Sequence, residues 1–308
     1  MSTDDQSQTA CGFVAVIGAP NAGKSTLVNR IVGAKVSIVS HKVQTTRFRI
    51  RGIAMADTAQ VVFVDTPGIF APKRRLDRAM VRAAWDGVAE ADLILLLVDA
   101  QRGLTEDVTA IIDRLKDTRT LEDPIPIHVA LNKVDMVRRE SLLALADALN
   151  NALAPDQIYM ISALKGDGCD DVLDRLGAVM PPGPWMFPED DLSDLPMRLL
   201  AAEITREKVF LNLHEELPYS ATVTTDRWDE RKDGSVRIEQ TIHVARDSQK
   251  PIVLGKGGTR IKSLGRQARE ELGALLEREV HLFLHVTVRE NLWDSRDSYA
   301  DWGLDYDA

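Results

Sequence analysis

Residues 18–25, GAPNAGKS, follow an apolar run, precede a helix-like segment and match the pattern of a phosphate-binding loop. Its glycines let backbone N–H groups face an anion, and the start of the helix adds about half a positive charge. We expect Lys24 to reach the β- and γ-phosphates of a nucleotide and Ser25 to ligate Mg²⁺. The other contacts in this segment are assigned to Gly18, Asn21, Ala22, Gly23 and Thr26. The loop alone leaves kinases, ATPases and GTPases open.

A second motif, NKVD at residues 132–135, separates these classes. The carboxylate of Asp135 can accept hydrogen bonds from N1–H and the 2-amino group of guanine. Adenine offers neither donor and would leave a buried carboxylate unpaired. Lys133 can lay its stem on the base, and Asn132 can tie the motif to the phosphate loop. Residues 162–165, SALK, can close over the base through backbone N–H groups, assigned to Ser162, Ala163 and Leu164.

Two segments between these motifs contain groups suited to Mg²⁺ and to a γ-phosphate. In DTPG, residues 65–68, Asp65 is expected to hold a magnesium-bound water and the N–H of Gly68 to sense the γ-phosphate. In QTTR, residues 44–47, the Mg²⁺ contact is assigned to Thr46, with Thr45 as the alternative. Taken alone, DTPG also fits an ordinary turn, and adjacent threonines also fit a structural role.

The elements that must position these motifs alternate between short apolar runs and helix-like segments. Strands are predicted at 13–17, 61–64, 93–98, 125–131 and 158–161, helices at 24–31, 77–90, 105–116, 140–153 and 169–179, and an edge strand at 49–55. This alternation is typical of an α/β domain with a mostly parallel six-stranded sheet and helices on both faces. NKVD, DTPG and SALK each follow a strand, where the ligand sites of such sheets gather.

The pattern changes after residue 180. Prolines and acidic residues predict a stiff linker over 181–196, with a long loop inside one domain as the alternative. A helix at 197–211, strands at 219–228 and 235–245, a helix at 259–276 and a strand at 280–288 predict a smaller α+β domain over 197–290. Residues 1–11 are expected to be a flexible N-terminus. The acidic and aromatic tail, 291–308, is either a solvated terminus or a segment docked on a basic face of its own chain.

Within the smaller domain, residues 255–258 form a GxxG loop before a helix. Such a loop lets a nucleic-acid backbone approach closely, although a glycine helix cap has the same sequence. Residues 246–269 contain seven basic residues and one acidic residue, in a chain whose net charge is −9. RNA contacts are therefore assigned to Gly255, Lys256, Gly257, Gly258, Arg260, Lys262 and Arg266. Bases are expected to rest on an apolar floor made by Ile252, Val253, Leu254, Ile261 and Leu264.

Composition limits the remaining classes. The chain has 308 residues, 44% hydrophobic and 28% charged, which is typical of a soluble globular protein of two domains. Its two cysteines, Cys11 and Cys169, exclude a disulfide scaffold and a thiolate zinc site and fit a reducing cytosol. The longest apolar run is far shorter than the ~20 residues of a membrane-spanning helix, and the first ten residues are not those of a signal peptide.

The ordered motifs GAPNAGKS, QTTR, DTPG, NKVD and SALK, over residues 12–180, resemble the translation-factor class of GTPases. The element order after residue 197 resembles a type II KH domain. Together the two resemble the Era family of bacterial ribosome-assembly GTPases over residues 12–290. The resemblance implies GTP/GDP and Mg²⁺ as ligands, binding near the 3′ end of 16S ribosomal RNA and a role in 30S maturation. It also implies a cytosolic monomer with some peripheral association at the inner membrane.

One residue departs from the Ras-type pattern. Where those GTPases carry a glutamine that orients the attacking water, this chain has Ile69, which predicts slow intrinsic hydrolysis, stimulated by RNA. Asn21 resembles the asparagine that holds a potassium ion in some relatives, and such an ion could replace an arginine finger. The predicted catalytic groups are therefore Lys24, Thr46, Gly68 and Asn21.

A nucleotide switch connects these predictions. GTP with Mg²⁺ is expected to order residues 44–47 and 66–70, and these loops would bias the KH domain through residues 181–196. Three other classes stay open at this point. They are a metabolic P-loop kinase, a module that binds duplex DNA, and a structural ribosomal protein without nucleotide turnover.

Overall fold

The structure is a computed structural model that describes residues 9–40, 42, 45–118, 120, 124–213, 221–290, 292, 295–296, 299 and 302–308. The chain forms two compact units. The first comprises Met1–Ser37, Thr46–Asp194 and Gly303–Ala308, and the second comprises Ile38–Thr45 and Leu195–Trp302. Each unit therefore includes a short segment that is distant in sequence from the rest of that unit.

A six-stranded sheet forms the centre of the first unit. Its strands are β1 (Ala10–Ile17), β2 (Ile50–Ala56), β3 (Ala59–Asp65), β4 (Leu93–Asp99), β5 (Ile127–Asn132) and β6 (Gln157–Ile161). They lie in the order β2-β3-β1-β4-β5-β6, with β2 antiparallel to β3 and the other neighbours parallel. Strands β3, β4 and β5 are buried at every position. Their sequences are accordingly mostly apolar, because a strand covered on both faces has no solvent side. Gln60 in β3 and His128 in β5 are buried polar exceptions.

Helices cover both faces of this sheet. They are α1 (Lys24–Val32), α2 (Arg75–Ala89), α3 (Glu106–Thr118), α4 (Arg139–Leu153) and α5 (Cys169–Gly177). Buried side chains of α1 and α5 join one apolar cluster, and those of α2, α3 and α4 join a second. The predicted α/β fold, with a mostly parallel six-stranded sheet between two helical layers, is confirmed.

Residues 181–194, most of the expected linker, are hydrogen-bonded along the first unit. The side-chain oxygen of Gln60, in β3, accepts the N–H groups of Met186 and Phe187, both at 3.0 Å. The Gln60 amide nitrogen donates to the Phe187 carbonyl at 2.9 Å. Further along, the N–H of Ile53, in β2, donates to the Leu192 carbonyl at 3.0 Å. This segment is thus a strap across β2 and β3.

Among the described residues, the second unit contains a three-stranded sheet with helices packed against it. In chain order they are α6 (Met197–Asn212), β7 (Ala221–Glu230), β8 (Val236–Val244), α7 (Lys250–Leu254), α8 (Thr259–Leu276) and β9 (Val280–Val288). The sheet order is β7-β8-β9, with β7 antiparallel and β9 parallel to β8. Alternate residues of β8 are buried, and they pack against α6 and α8. The predicted α+β order is confirmed; the first two residues of the strand predicted at 219–228 lie outside the described residues.

The segment Ile38–Thr45 belongs to the second unit, and its described residues Val39, Lys42 and Thr45 are hydrogen-bonded to α6 or to its C-terminal end. The N–H of Val39 donates to Oε1 of Glu207 at 2.9 Å. The ammonium of Lys42 donates to the carbonyls of Phe210 and Leu213, at the end of the helix. The last carbonyls of a helix lack partners within it and carry partial negative charge, so a lysine is a favourable cap.

The end of the chain returns to the first unit. Residues 303–308 contact α2, so the docked alternative for the tail holds in this stretch. Several acidic and aromatic residues earlier in the tail, Trp293, Asp294, Asp297 and Asp301, lie outside the described residues. Within the part of the chain that the structure describes, no helix combines the length and apolar character needed to cross a bilayer.

Candidate functional site

The phosphate-binding loop connects β1 to α1. A Cβ on Gly18 would lie 2.4 Å from the carbonyl oxygen of Leu97, so only glycine allows this close passage between β1 and β4. Lys24 opens α1 and its ammonium donates to the carbonyls of Gly18 and Ala19 at 3.1 and 3.2 Å. Burial lowers the pKa of Lys24 to about 8, and the negative charge of Asp65 partly offsets this shift by raising the pKa. A bound phosphate would favour the charged form of this lysine.

Hydroxyl groups converge on the buried carboxylate of Asp65, at the end of β3. The hydroxyls of Ser25 and Ser37 both donate to Oδ2 of Asp65 at 2.7 Å, and Thr46 Oγ1 lies 3.0 Å from Ser25 Oγ. The other carboxylate oxygen, Oδ1, is buried and has no hydrogen-bond partner among the described residues. Burial raises the pKa of Asp65, and the Ser25 hydrogen bond is the largest opposing effect.

This donor set fits Mg²⁺. Hydroxyl and carboxylate oxygens are the hard ligands that this ion takes, and the orphaned oxygen of Asp65 is a buried acceptor that a cation or its water would satisfy. Of the two alternatives for the switch threonine, Thr46 is the one beside Ser25. The hydroxyl of Thr45 instead donates to the Lys42 carbonyl at 2.9 Å, within the second unit. The first residue of QTTR, Gln44, lies outside the described residues.

Asn132, at the end of β5, connects three motifs. Its side-chain nitrogen donates to the Ala22 carbonyl at 2.8 Å, and its side-chain oxygen accepts the N–H groups of Lys133 and Ala163 at 2.8 and 2.9 Å. Lys133 donates to the carbonyl of Asn21 at 2.9 Å. The phosphate loop, NKVD and SALK are therefore held as one constellation.

Asp135 faces the SALK loop. The hydroxyl of Ser162 hydrogen-bonds its carboxylate and holds its pKa below the usual range, and the ammonium of Lys165, 3.5 Å away, adds to the effect. The carboxylate is therefore ionised at neutral pH and acts as an acceptor only. Such a group discriminates in favour of a base edge with two donors, as guanine has.

Four residues that the sequence did not single out support these loops. Asp99, at the end of β4, pairs with Lys133 at 2.6 Å. Arg30 donates to the Leu164 carbonyl at 2.7 Å, and the side-chain oxygen of Asn29 accepts the N–H groups of residues 36 and 37. The fourth is Ser37, on Asp65. Of these four residues, only Asp99 could have been identified from the sequence, because it ends an apolar strand as Asp65 does.

The DTPG segment lies against the phosphate loop. A Cβ on Gly68 would meet Cα of Pro20 at 3.0 Å, and the N–H of Ile69 donates to the Gly18 carbonyl at 3.1 Å. Ile69 is 6% exposed and packs in the apolar cluster under α2. Its side chain has no polar atom and points into the core, so it cannot orient a water molecule.

In the second unit, the GxxG loop lies between α7 and α8. Gly255, Gly257 and Gly258 have positive φ angles, and a Cβ on either of the last two would meet nothing within 4 Å. The loop is therefore open to an approaching backbone. The N-terminus of α8 has no side-chain cap, which leaves its first N–H groups available to an anion. The basic side chains assigned to RNA are all exposed: Lys256, Arg260, Lys262 and Arg266.

The predicted apolar floor beside this loop is wrong in part. Val253 and Leu264 are fully buried in the domain core, so neither presents a surface on which a base could rest. Ile252 is 46% exposed, and Leu254 and Ile261 are half-buried. The sequence identified these five positions as apolar, but it did not show which side chains lie in the core and which remain at the surface.

Comparisons with known proteins agree with both units. The chain matches the family described as a 50S ribosome-binding GTPase over residues 13–133 and the KH domain family over residues 216–292. Proteins named GTPase Era from Sinorhizobium medicae and Brucella suis are 59% and 57% identical to it, over 99% and 98% of this chain and 99% and 96% of their own.

Two solved structures are similar over almost the whole length. One is Era in complex with MgGDPNP and nucleotides 1506–1542 of 16S ribosomal RNA. The other is an Aquifex aeolicus Era variant bound to GDP and AlF₄⁻. Each has a TM-score of 0.89 and 37% sequence identity, and each covers 96% of this chain and 99% of its own.

Proposed function

The chain belongs to the Era family of GTPases, and from that membership we propose that it binds GTP with Mg²⁺, hydrolyses it to GDP and phosphate, and binds RNA of the small ribosomal subunit through its second unit. The proposal of nucleotide binding rests on the hydrogen bonds of Asn132, which hold the NKVD motif with Asp135, the phosphate loop and the SALK loop in one constellation. The RNA half is supported by the open GxxG loop and the basic helix after it.

We assign the nucleotide contacts to residues of that constellation and of the DTPG segment beside it. Lys24 neutralises the β- and γ-phosphates, and backbone N–H groups of the phosphate loop hold the remaining oxygens. Asp135 accepts from the guanine edge, and residues 162–164 close over the base. The hydroxyls of Ser25 and Thr46 would hold Mg²⁺, and the carboxylate of Asp65 would hold a water bound to it. The ion would offset negative charge on the phosphates. The assigned set is Gly18, Asn21, Ala22, Gly23, Lys24, Ser25, Thr26, Asp65, Gly68, Asn132, Lys133, Asp135, Ser162, Ala163 and Leu164.

Intrinsic hydrolysis is proposed to be slow, because the side chain after Gly68 is the buried Ile69. Thr46, through its contact with Mg²⁺, and the N–H of Gly68, as a donor to the γ-phosphate, can still position the γ-phosphate. Asn21 lies in the phosphate loop with its carbonyl bound to Lys133, and it is the residue that we assign to a potassium ion. Potassium should then accelerate hydrolysis and sodium should not, and Asn21→Ala should remove the difference.

The route from nucleotide to RNA is proposed to run through Ile38–Thr45. Thr46 lies beside Ser25 in the first unit, while Thr45, the preceding residue, belongs to the second. Its carbonyl accepts from the buried guanidinium of Arg206 at 2.5 Å, and Arg206 also pairs with Glu203. Movement of Thr46 on nucleotide exchange would therefore act on α6 directly. The strap 181–194 is bound to the first unit and is a weaker candidate for this role.

We place the ends of the domains as follows: a GTPase domain at 10–180, a linker at 181–196, a type II KH domain at 197–290 and a tail at 291–308. The GTPase domain begins two residues before the predicted bound, because Ala10 and Cys11 belong to β1 and pair with β3, so the predicted flexible N-terminus does not reach residue 11. The proposed partner is the 3′ end of 16S ribosomal RNA in the assembling 30S subunit, and the chain acts as a monomer. We place it in the cytosol, with peripheral association at the cytoplasmic face of the inner membrane.

The test is a phosphate-release assay with GTP, with and without a 16S 3′-end fragment, in potassium and in sodium. RNA and potassium should each raise the rate, and excess ATP should not compete. Competition by ATP would indicate a kinase or an ATPase, and binding to duplex DNA as tight as to single-stranded RNA would overturn the RNA assignment. Isolated 30S and 50S subunits provide a second comparison, because the GTPase family description names the large subunit and the RNA-bound relative carries small-subunit RNA.

A further inference from the structure

Helix α2 has a basic, solvent-facing side. Arg75, Arg78 and Arg82 recur at intervals of three and four residues, so they share one side of the helix, which we call the arginine face. Residues 73–82 contain five basic residues, and their only acidic one is Asp77. Its carboxylate accepts the N–H groups of residues 73 and 74 at 3.1 and 3.0 Å and so is committed to capping the helix. This is a second concentration of positive charge in an acidic chain.

The end of the chain covers this face. The guanidinium of Arg75 lies 4.4 Å from the centre of the Tyr306 ring and also donates to its hydroxyl. Arg82 pairs with Asp305 at 3.0 Å. A main-chain oxygen of Ala308 accepts from Arg78 at 3.4 Å. Residues 303–308, which we call the tail peptide, therefore engage all three arginines.

The tail peptide presents groups in the order that a single nucleic-acid strand presents them. An aromatic ring lies under a guanidinium, where a base would stack, and Asp305 and Asp307 flank it as phosphates would. The arginine face runs from residue 75 to residue 82, which is seven steps along the helix or about 10 Å at ~1.5 Å per step, long enough to contact more than one nucleotide.

These contacts are weak enough to be exchanged. The side chains of Arg82 and Asp305 are 55% and 47% exposed, and ion pairs in contact with water contribute little to stability. Leu304 is buried, which adds an apolar anchor, but the peptide is short. A polyanion that releases counterions on binding has an advantage that two carboxylates lack.

We propose that the arginine face of α2 is a second binding surface for the phosphate backbone of single-stranded RNA, and that the tail peptide occupies it as an internal competitor. The inference rests on the proposed RNA-binding function only for the identity of the ligand. Since α2 follows the loop that carries Gly68, RNA that displaces the tail peptide would bind next to the nucleotide-sensing segment.

The experiment measures binding of a labelled oligouridylate by fluorescence anisotropy, with GDP present, between 50 and 200 mM KCl. It compares the full chain with a chain that stops after Trp302. Removal of the tail peptide should raise affinity about fivefold or more at 50 mM KCl. It should also steepen the plot of log affinity against log salt by about 1.4, which corresponds to two phosphate contacts on a single strand, in the places of Asp305 and Asp307. A full-length Asp305→Asn, Asp307→Asn, Tyr306→Ala variant, which deletes no residue, should show the same change.

The decisive variant is Arg75→Gln, Arg78→Gln, Arg82→Gln in the shortened chain, where both gains should disappear. In the full chain the same three substitutions should change affinity less than twofold, because the face is already covered. Gains that survive the triple substitution, or unchanged affinity and slope in the shortened chain, would overturn the proposal. So would a gain in binding to phosphatidylcholine–phosphatidylglycerol vesicles with none for the oligonucleotide.

Failure of this inference is separable from failure of the proposed function. Gly257→Asp adds a negative charge at the GxxG loop and should weaken binding in both the full and the shortened chain. If that loss occurs while tail removal has no effect, only the inference about α2 fails. If no chain binds RNA, both proposals fail.

Discussion

Gly23 and Asn132 are so close that a Cβ on the glycine would lie 2.2 Å from the side-chain nitrogen of the asparagine. That nitrogen donates to the carbonyl of Ala22, the residue before Gly23, at 2.8 Å. Gly23 also has a φ of 99° as the cap of α1. The phosphate loop and the base-recognition motif, more than 100 residues apart in sequence, thus meet where only a residue without a side chain fits.

The first prediction concerns this contact. Gly23→Ala should displace Asn132 and misplace both loops, and it should reduce GDP and GTP affinity about 100-fold or more, measured by titration with a fluorescent nucleotide. Gly33→Ala is the matched control. Gly33 also has a positive φ, at the other end of α1, but a Cβ there meets nothing within 4 Å. The Gly33→Ala variant should therefore be less stable because of backbone strain, but its nucleotide affinity should not change. Equal losses in the two variants would show that strain, not the contact, matters.

The second prediction tests the choice of base. Asp135→Asn replaces an acceptor by a donor, so affinity for GTP should fall about 100-fold or more while affinity for XTP rises, because xanthine carries an oxygen where guanine has its amino group. Competition between the two nucleotides against labelled GDP measures this. Asp147→Asn, at an exposed position on α4, is the control and should keep guanine preference. A variant at residue 135 that still prefers GTP would remove this carboxylate from base recognition.

Much of the first unit could be predicted because its signals are local. Strands β3, β4 and β5 are buried on both faces, so their sequences are mostly apolar and end at Asp65, Asp99 and Asn132. Parallel strands bring such ends to one edge of the sheet, which is why DTPG and NKVD could be placed together before the structure was known. The P-loop pattern fixed Lys24 and Ser25 in the same way.

The remaining features depend on partners that are distant in sequence, and periodicity does not show partners. Gln60 holds Phe187, 127 residues away, so the proline-rich segment is a strap along the sheet although its composition indicated a linker. Lys42 lies on the end of α6, 168 residues away from Phe210. Val253 was expected beside RNA and is in the core. In each case the sequence shows whether a residue prefers an apolar or a polar environment, but it does not show which distant residue it contacts.

The third prediction tests the segment that packs on α6. Lys42→Ala removes the ammonium that caps the last carbonyls of that helix, so the ratio of RNA affinities measured with a non-hydrolysable GTP analogue and with GDP should move toward one. Nucleotide affinity itself should stay within about twofold. Lys116→Ala removes an exposed lysine of α3 and should leave the ratio as it is. An unchanged ratio in Lys42→Ala would argue against this route.

The fourth prediction concerns the thiol behind the SALK loop. Cys169 is fully buried at the start of α5, and burial raises its pKa to about 11. At pH 8 only about one thiol in a thousand would be ionised, and the thiolate is the reactive form. The folded chain should therefore leave Cys169 unlabelled by a thiol-specific reagent over an hour at pH 8, and denaturant should expose it. Mass spectrometry of the labelled peptides distinguishes it from Cys11. Labelling within minutes without denaturant would contradict the packing described for this helix.

The fifth prediction tests the strap over β2 and β3. Gln60→Ala removes the side-chain oxygen that accepts the N–H groups of both Met186 and Phe187. Met186 is exposed and Phe187 is half-buried, so water can reach these N–H groups and the cost is that of lost hydrogen bonds, about 0.5–1.5 kcal/mol each. The first unit should therefore lose about 1–3 kcal/mol in its free energy of unfolding, measured by urea denaturation. Hydrogen–deuterium exchange should accelerate in the peptide that covers residues 184–190, whereas Gln157→Ala, at an exposed position of β6, should change neither quantity. Protection that persists at residues 186 and 187 in Gln60→Ala would mean that prolines, and not this glutamine, hold the strap against the sheet.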